Sequence, residues 1–302
     1  MQSATLLTLL GLLALVGFVA WGAWSTVLQP MRRRVHARHE PFPEEWETIL
    51  QREVRFYRRL SEEDKQRFRD EVQVFLQEKR ITGIKTDIDD TTRVLAASSA
   101  IIPIFGFPGW EWNQVREILV YPTRFDQEDF EMGGVESDTL GMVGSGAMNG
   151  LMILSKPDLL DGFRNPRDKR NVGIHEFVHL LDKSDGAVDG VPELGLERGA
   201  IAPWLQLVRR EMQRMRAGRS GIDLYGLTNE AEFFAVVSEY FFERPEMLER
   251  EHPELFAMLE KIFRQDMRSR AGSVLSSARS AGRNMPCPCG SGKRYRNCCR
   301  DG

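Results

Sequence analysis

His175-Glu176-Phe177-Val178-His179 is the stretch of this sequence whose residue types and spacing could do chemistry. Two histidines four apart on a helix share one face and can hold one ion between them. Glu176 follows the first histidine directly, so it cannot easily ligate the same ion. It can reach a water bound there and take its proton. Two imidazole ligands and an adjacent carboxylate base are what zinc-dependent hydrolysis needs. The alternative is a pair of satisfied core histidines. Ile174, Phe177, Val178, Leu180 and Leu181 make the helix apolar nearly all round. Burying two imidazoles and a carboxylate there without a partner would be costly, and a metal removes that cost.

A catalytic zinc needs a third protein ligand and one open position. Asp182 lies one turn past His179, where a straight helix carries it away from the ion, and it could instead orient a histidine. Glu232 and Glu239 share one side of a later helix that opens after Thr228-Asn229. Glu232 could also be a capping-box glutamate three residues after Asn229, and Glu239 a solvated or paired surface acid. Spacing prefers a distant glutamate over Asp182 and does not choose between these two.

All four cysteines lie near the C-terminus: Cys287, Cys289, Cys298 and Cys299. Their pattern is Cys-x-Cys, eight residues, then Cys-Cys. Four thiolates suit a closed, structural zinc site, with Gly290 and Gly292 allowing the chain to fold back. So small a module has no core, and the metal would supply its folding energy. No cysteine remains in the body for a disulfide, which fits a reducing compartment.

The elements that must position these groups read as α+β. Helical patterns run near Glu44 to Leu60 (stripe Trp46, Ile49, Leu50, Val54, Tyr57), then from a Ser61 cap through Phe68, Val72, Phe75 and Leu76, with Gly83 beyond its end. Asp89 to Ile102 reads as a helix ended by Pro103. Arg116 to Tyr121 and Gly150 to Ser155 read as short strands, and the Gly-rich stretch 133–149 as a hairpin. Asn165-Pro166-Arg167-Asp168 reads as the start of the metal helix, which should run to about Asp182. The expectation is helices around a small mixed sheet.

The chain has 302 residues, 42% hydrophobic and 28% charged, with net charge −3, so overall charge argues neither for nor against a nucleic-acid partner. From Arg264 onward nine Lys and Arg face two Asp, which makes the tail basic. Ala4 to Trp24 carries no charged residue and as a helix would span roughly 30 Å, the depth of a bilayer core. Trp21 and Trp24 stand at its end, and Arg32, Arg33 and Arg34 follow. That pattern predicts a single-pass anchor with the body in the cytosol. A cleaved signal peptide would need a basic segment before the apolar run, and none is present. The expected organisation is a transmembrane anchor (1–28), a basic linker (29–43), a metallopeptidase domain (44–266), a flexible linker (267–285) and a cysteine module (286–302).

The residues from His175 to Asp182, with Ile222-Asp223-Leu224-Tyr225 and the run from Asn229 to Phe242, resemble the Mlc titration factor A family of zinc peptidases. The segments 118–122 and 76–80 are similar too. The Glu-Phe-Phe-Ala run of the late helix is also similar to the metalloprotease domain of anthrax lethal factor. The resemblance implies a gluzincin-like fold. It implies His175 and His179 as zinc ligands, Glu176 as general base and Glu232 as third ligand. It also implies that the hydroxyl of Tyr225 stabilises an oxyanion, where the residues alone would suggest a buried tyrosine bonded to backbone. The action implied is peptide-bond hydrolysis, with an aminopeptidase as one form of it. Cys287 to Cys299 resembles the SEC-C motif. That likeness implies docking to a protein or to the ribosome, through a surface carrying Lys293, Arg294, Arg296 and Arg300.

The apolar N-terminus and the cysteine module depart from the soluble members of the family, which weakens any transfer of their partner, the glucose repressor Mlc. The expectation is therefore two zinc ions, one catalytic and one structural, and a peptide or protein substrate. It places the chain on the inner membrane, held by the N-terminal helix. A second reading is a regulatory binding protein that sequesters a repressor or other partner, with cleavage incidental.

Overall fold

The computed structural model describes residues 40–123, 141–143, 150–165 and 170–270, with isolated positions before residue 35 and between 284 and 296. Residues 1–42 and 43–302 form two units. In the first, Leu15, Phe18, Val19 and Trp21 are helical and exposed. The expected anchor otherwise lies outside the described residues, among which no helix is long and apolar enough to cross a membrane. Most of the 29–43 and 267–285 linkers and all four cysteines also lie outside them.

The second unit is mostly helical around a small sheet. Its elements are α1 (Glu44–Glu53), α2 (Arg55–Arg58), α3 (Glu62–Glu78), β1 (Arg80–Gly83), α4 (Asp90–Ile104), β2 (Glu117–Tyr121), β3 (Gly141–Val143), β4 (Leu151–Ser155), α5 (Lys156–Arg164), α6 (Val172–Asp182), α7 (Ile201–Arg216), α8 (Glu230–Glu243), α9 (Pro245–Glu251) and α10 (Pro253–Phe263). The sheet order is β1-β2-β4-β3. β1, β2 and β4 are parallel, with Ile81 beside Ile118 and Ile118 beside Met152. β3 runs antiparallel to β4 at the edge. The sheet is thus mixed, and the expected hairpin over 133–149 lies outside the described residues except for β3. The connecting residues 144–149 are outside the described set.

Several boundaries differ from the sequence reading. The helix expected over 44–60 is broken at Val54, which takes an extended conformation. Gly83 is the last residue of a strand, where the sequence suggested only a helix end. Pro103 lies in the final turn of α4 and not just beyond it, and it lacks the N–H that would otherwise bond to Ser99 O. The metal helix starts at Val172 and not at Asn165, because an unexpected helix, α5, occupies the preceding stretch. Ser155 caps α5, Pro157 lies in its first turn and Asn165 ends it. Asn171 is the true cap of α6, its side chain accepting the N–H of Ile174 at 3.1 Å.

α6 is the centre of the body. Phe177 packs against Trp112 (ring centroids 5.0 Å) and Phe75 (5.9 Å). α4 crosses α6 so closely at Gly173 that a Cβ there would lie 2.1 Å from Ser99 Oγ and 2.7 Å from Ser99 Cβ. Ser99 is itself fully buried and donates to Leu95 O. A side chain at 173 would therefore push the helices apart. Gly173→Ala is expected to lose about 1–3 kcal/mol of stability through overpacking, despite the better helix propensity of alanine. Adding Ser99→Gly should recover part of that loss in denaturant titrations.

Candidate metal centre

α6 and α8 meet head to tail. At one end of α6, Asn171 bonds to two acids of α8: its backbone N–H donates to Glu239 and its Nδ2 to Glu243 Oε1 (3.1 Å). At the other end, buried Asp182 accepts the N–H of Gly190 (2.8 Å). Gly190 has φ +77°, and a Cβ on it would lie 2.4 Å from the carbonyl of Glu230, the first residue of α8. Asp182 therefore holds the return loop where it approaches α8, and it is not one of the three converging donors.

Between these ties the side chains converge. His175 Nε2 is 3.1 Å from His179 Nε2 and 3.1 Å from Glu232 Oε2, and His179 Nε2 is 3.5 Å from Glu232 Oε2. A tetrahedral ion with donors about 2.0–2.1 Å away separates them by about 3.3–3.4 Å. The triangle already has that size, and two imidazole nitrogens with one carboxylate oxygen are a donor set suited to zinc. Glu232 shows half of the capping-box pattern, its N–H donating to Asn229 Oδ1 (2.8 Å). Its carboxylate lies at the histidines.

Glu239 is the residue that sequence reasoning left without a place. It is buried, and its Oε1 lies 2.8 Å from His175 Nδ1, on the far side of the ring from the triangle. The signal was its position seven residues after Glu232, two turns along the same face. Nothing in that spacing told a ligand from a partner of a ligand. Tyr225 is not a buried tyrosine. It stands in a 3-10 turn (Leu224–Leu227), 55% exposed, with its ring centroid 6.0 Å from that of His175. The turn is held from α8: Tyr240 Oη donates to Gly221 O (3.1 Å) and accepts the N–H of Asp223 (2.9 Å). Asp223 in turn accepts the N–H of Tyr225 (3.0 Å) and a bond from Arg170 (2.9 Å).

The electrostatics follow from this crowding. Burial alone would lower the pKa of His175, but hydrogen bonds to Glu232 and Glu239 and the charges of Glu239 and Glu176 push it up to about 10. Burial would raise that of Glu232, yet its bonds to both histidines hold it well below the usual carboxylate range. Burial raises Glu176, and the charges of Glu232 and Glu239 add to this against the pull of the histidines. Burial likewise raises Glu239 above the usual range, although His175 and the N–H of Asn171 oppose it. Tyr225 is raised to about 12 by partial burial and by Glu232 and Glu176.

A partly buried histidine pair on one helix, with an acid supplied by a second helix, makes a three-donor pocket of the kind found in metal-dependent peptidases. Comparison with known proteins agrees. The profile of the glucose-regulated metallo-peptidase M90 family matches residues 28–264, and the SEC-C motif matches 283–301. The chain belongs to the glucose-regulated metallo-peptidase M90 family. An uncharacterized protein of Synechocystis sp. is 33% identical over 233 residues, 74% of this chain and 84% of its own. Mlc titration factor A of Pectobacterium atrosepticum is 31% identical over 234 residues (71% and 84%), and that of Salmonella agona 31% over 205 (64% and 76%).

Without metal, His175 holds its extra proton at neutral pH, so an ion binding at Nε2 must displace it. Zinc uptake by this site is expected to release about one proton per ion at pH 7 and to weaken as pH falls. Calorimetry in buffers of different ionisation enthalpy measures this as the difference between wild type and His175→Ala, which should also lack one zinc per chain.

Proposed function

We propose that this chain is a zinc-dependent peptidase of the His-Glu-x-x-His type, attached to the cytosolic face of a membrane. The observation that carries the proposal is the triangle of His175 Nε2, His179 Nε2 and Glu232 Oε2, sized for one tetrahedral ion. These three residues would hold the zinc. The bound metal supplies Lewis acidity, acidifying water and polarising a carbonyl. Glu176 then acts as general base. Burial favours its protonated form, so it can hold the proton taken from water and pass it to the leaving amine. The exposed hydroxyl of Tyr225 stays protonated and can donate a hydrogen bond to the oxyanion as it forms.

The domain scheme of the sequence analysis completes this reading. Residues 1–28 anchor the chain, 29–43 lead to the peptidase body over 44–266, and 267–285 link it to the SEC-C motif of 286–302. There Cys287, Cys289, Cys298 and Cys299 hold a second, structural zinc, and the basic surface docks to a protein or the ribosome. The exposed apolar side chains of Leu15, Phe18, Val19 and Trp21 support the anchor. The name of the Salmonella and Pectobacterium relatives favours the second reading, in which the same fold sequesters a repressor and cleaves only incidentally.

Glu176→Gln separates the two readings. It should lower peptide cleavage by about a hundred- to ten-thousand-fold while leaving zinc content and partner binding unchanged. Wild-type protein full of zinc that cleaves no member of a peptide library would favour the binding protein. For the anchor, a C-terminal reporter active only outside the cytosol should stay silent while the chain sediments with membranes. An active reporter would overturn that topology.

A further inference from the structure

We propose that Glu239 is a positioning residue for the metal centre, fixing His175 with its proton on Nδ1 and its Nε2 lone pair turned to the ion. The inference rests on the zinc reading above and concerns how one ligand is held. Each oxygen of the Glu239 carboxylate faces a donor. Oε1 meets His175 Nδ1 at 2.8 Å, and Oε2 accepts the backbone N–H of Asn171, the cap of α6. Carboxylates face both ring nitrogens, but an ion shared with His179 and Glu232 needs the lone pair of Nε2, which leaves the single N–H of a neutral imidazole on Nδ1, facing Glu239. The other nitrogen, Nε2, then has its lone pair free, and it is this atom that lies in the triangle with His179 and Glu232. The bond to Asn171 ties the same carboxylate to the first turn of the helix that carries His175. Glu239 thus sets the ring against its own helix as well as against α8. A carboxylate behind a ligating imidazole raises its basicity and fixes its orientation.

The competing account is that Glu239 merely fastens two helices together. Glu243 supplies the comparison. It lies one turn further along α8, is buried, and bonds to the side chain of the same Asn171 at 3.1 Å. It touches no member of the triangle among the contacts described. Removing Glu243 should test helix fastening, and removing Glu239 should test fastening plus orientation of the ligand.

The experiment uses the full-length protein and zinc itself, in competition with a chromophoric chelator, with His175→Ala reporting the zinc held elsewhere in the chain. Glu239→Ala is expected to weaken zinc binding at the His175 site about 10- to 100-fold. Glu239→Gln should weaken it less, because its single oxygen can still accept from Nδ1. Its amide nitrogen then faces the N–H of Asn171, a second donor. Glu243→Ala should stay close to wild type. In zinc-loaded, 15N-histidine-labelled protein, the protected Nδ1–H signal of His175 should survive in Glu243→Ala and vanish in Glu239→Ala. If Glu239→Ala fails to fold, Glu239→Gln carries the test through the same two measurements. Wild-type affinity in the Glu239 variants, or equal losses in Glu239→Ala and Glu243→Ala, would overturn the proposal. A wild type that binds no more zinc than His175→Ala would instead overturn the metal reading itself.

Discussion

The imidazole of His175 is held between two carboxylates, Glu232 on one edge and Glu239 on the other, and the body of the protein is built to keep it there. Packing ionisable groups this tightly away from water is unfavourable unless each finds a partner. Glu176 makes a third acid beside the same ring. Nothing in the propensity of α6 or α8 would bring such groups together. The arrangement must be imposed by the rest of the fold, and the favourable terms must come from apolar surface elsewhere.

That surface is aromatic. On α8, Phe234 and Phe241 stack against Phe263 of α10, while Phe242 meets Phe263 and Phe56 edge-on. On α6, Phe177 sits between Trp112 and Phe75. Each helix carries polar chemistry on one stripe and bulky apolar side chains on the others, which together fix its rotation about its axis. Buried rings have few alternative ways to pack, and interiors this dense resist small rearrangements. The Gly173–Ser99 crossing sets the separation on the side facing α4.

Much of this was legible in the sequence, for identifiable reasons. The histidine spacing, the apolar circumference of α6 and the Asn229 cap are local signals, and the structure carries each of them. The strands β2 and β4 announced themselves as apolar runs between turn residues. What escaped depended on long-range pairing. β1 is four residues with one fully apolar side chain, and it is a strand only because β2 lies beside it. α5 was hidden because Asn165-Pro166 mimics a helix start although Asn165 ends a helix. Glu239 was visible as an acid on the right face, but its contact with Nδ1 depends on how two helices 64 residues apart in sequence are docked. The setting of Tyr225 likewise depends on Tyr240, fifteen positions later on α8.

The double fastening of α6, by Asn171 at its start and Asp182 at its end, has a mechanical consequence. Its start is tied to Glu239 and Glu243 of α8 and its end to Gly190 of the loop that follows, so sliding α6 along α8 by a full turn of about 5.4 Å would break the bonds at Asn171. Shear between these two helices would therefore cost the bonds that also hold His175 in place. The segment from Gly218 to Thr228 is fastened separately, to α8 through the hydroxyl of Tyr240 and to Arg170 through Asp223, and it presents Tyr225 to solvent. The two helices behave as an anvil, and the turn that carries Tyr225 is set against it by bonds of its own.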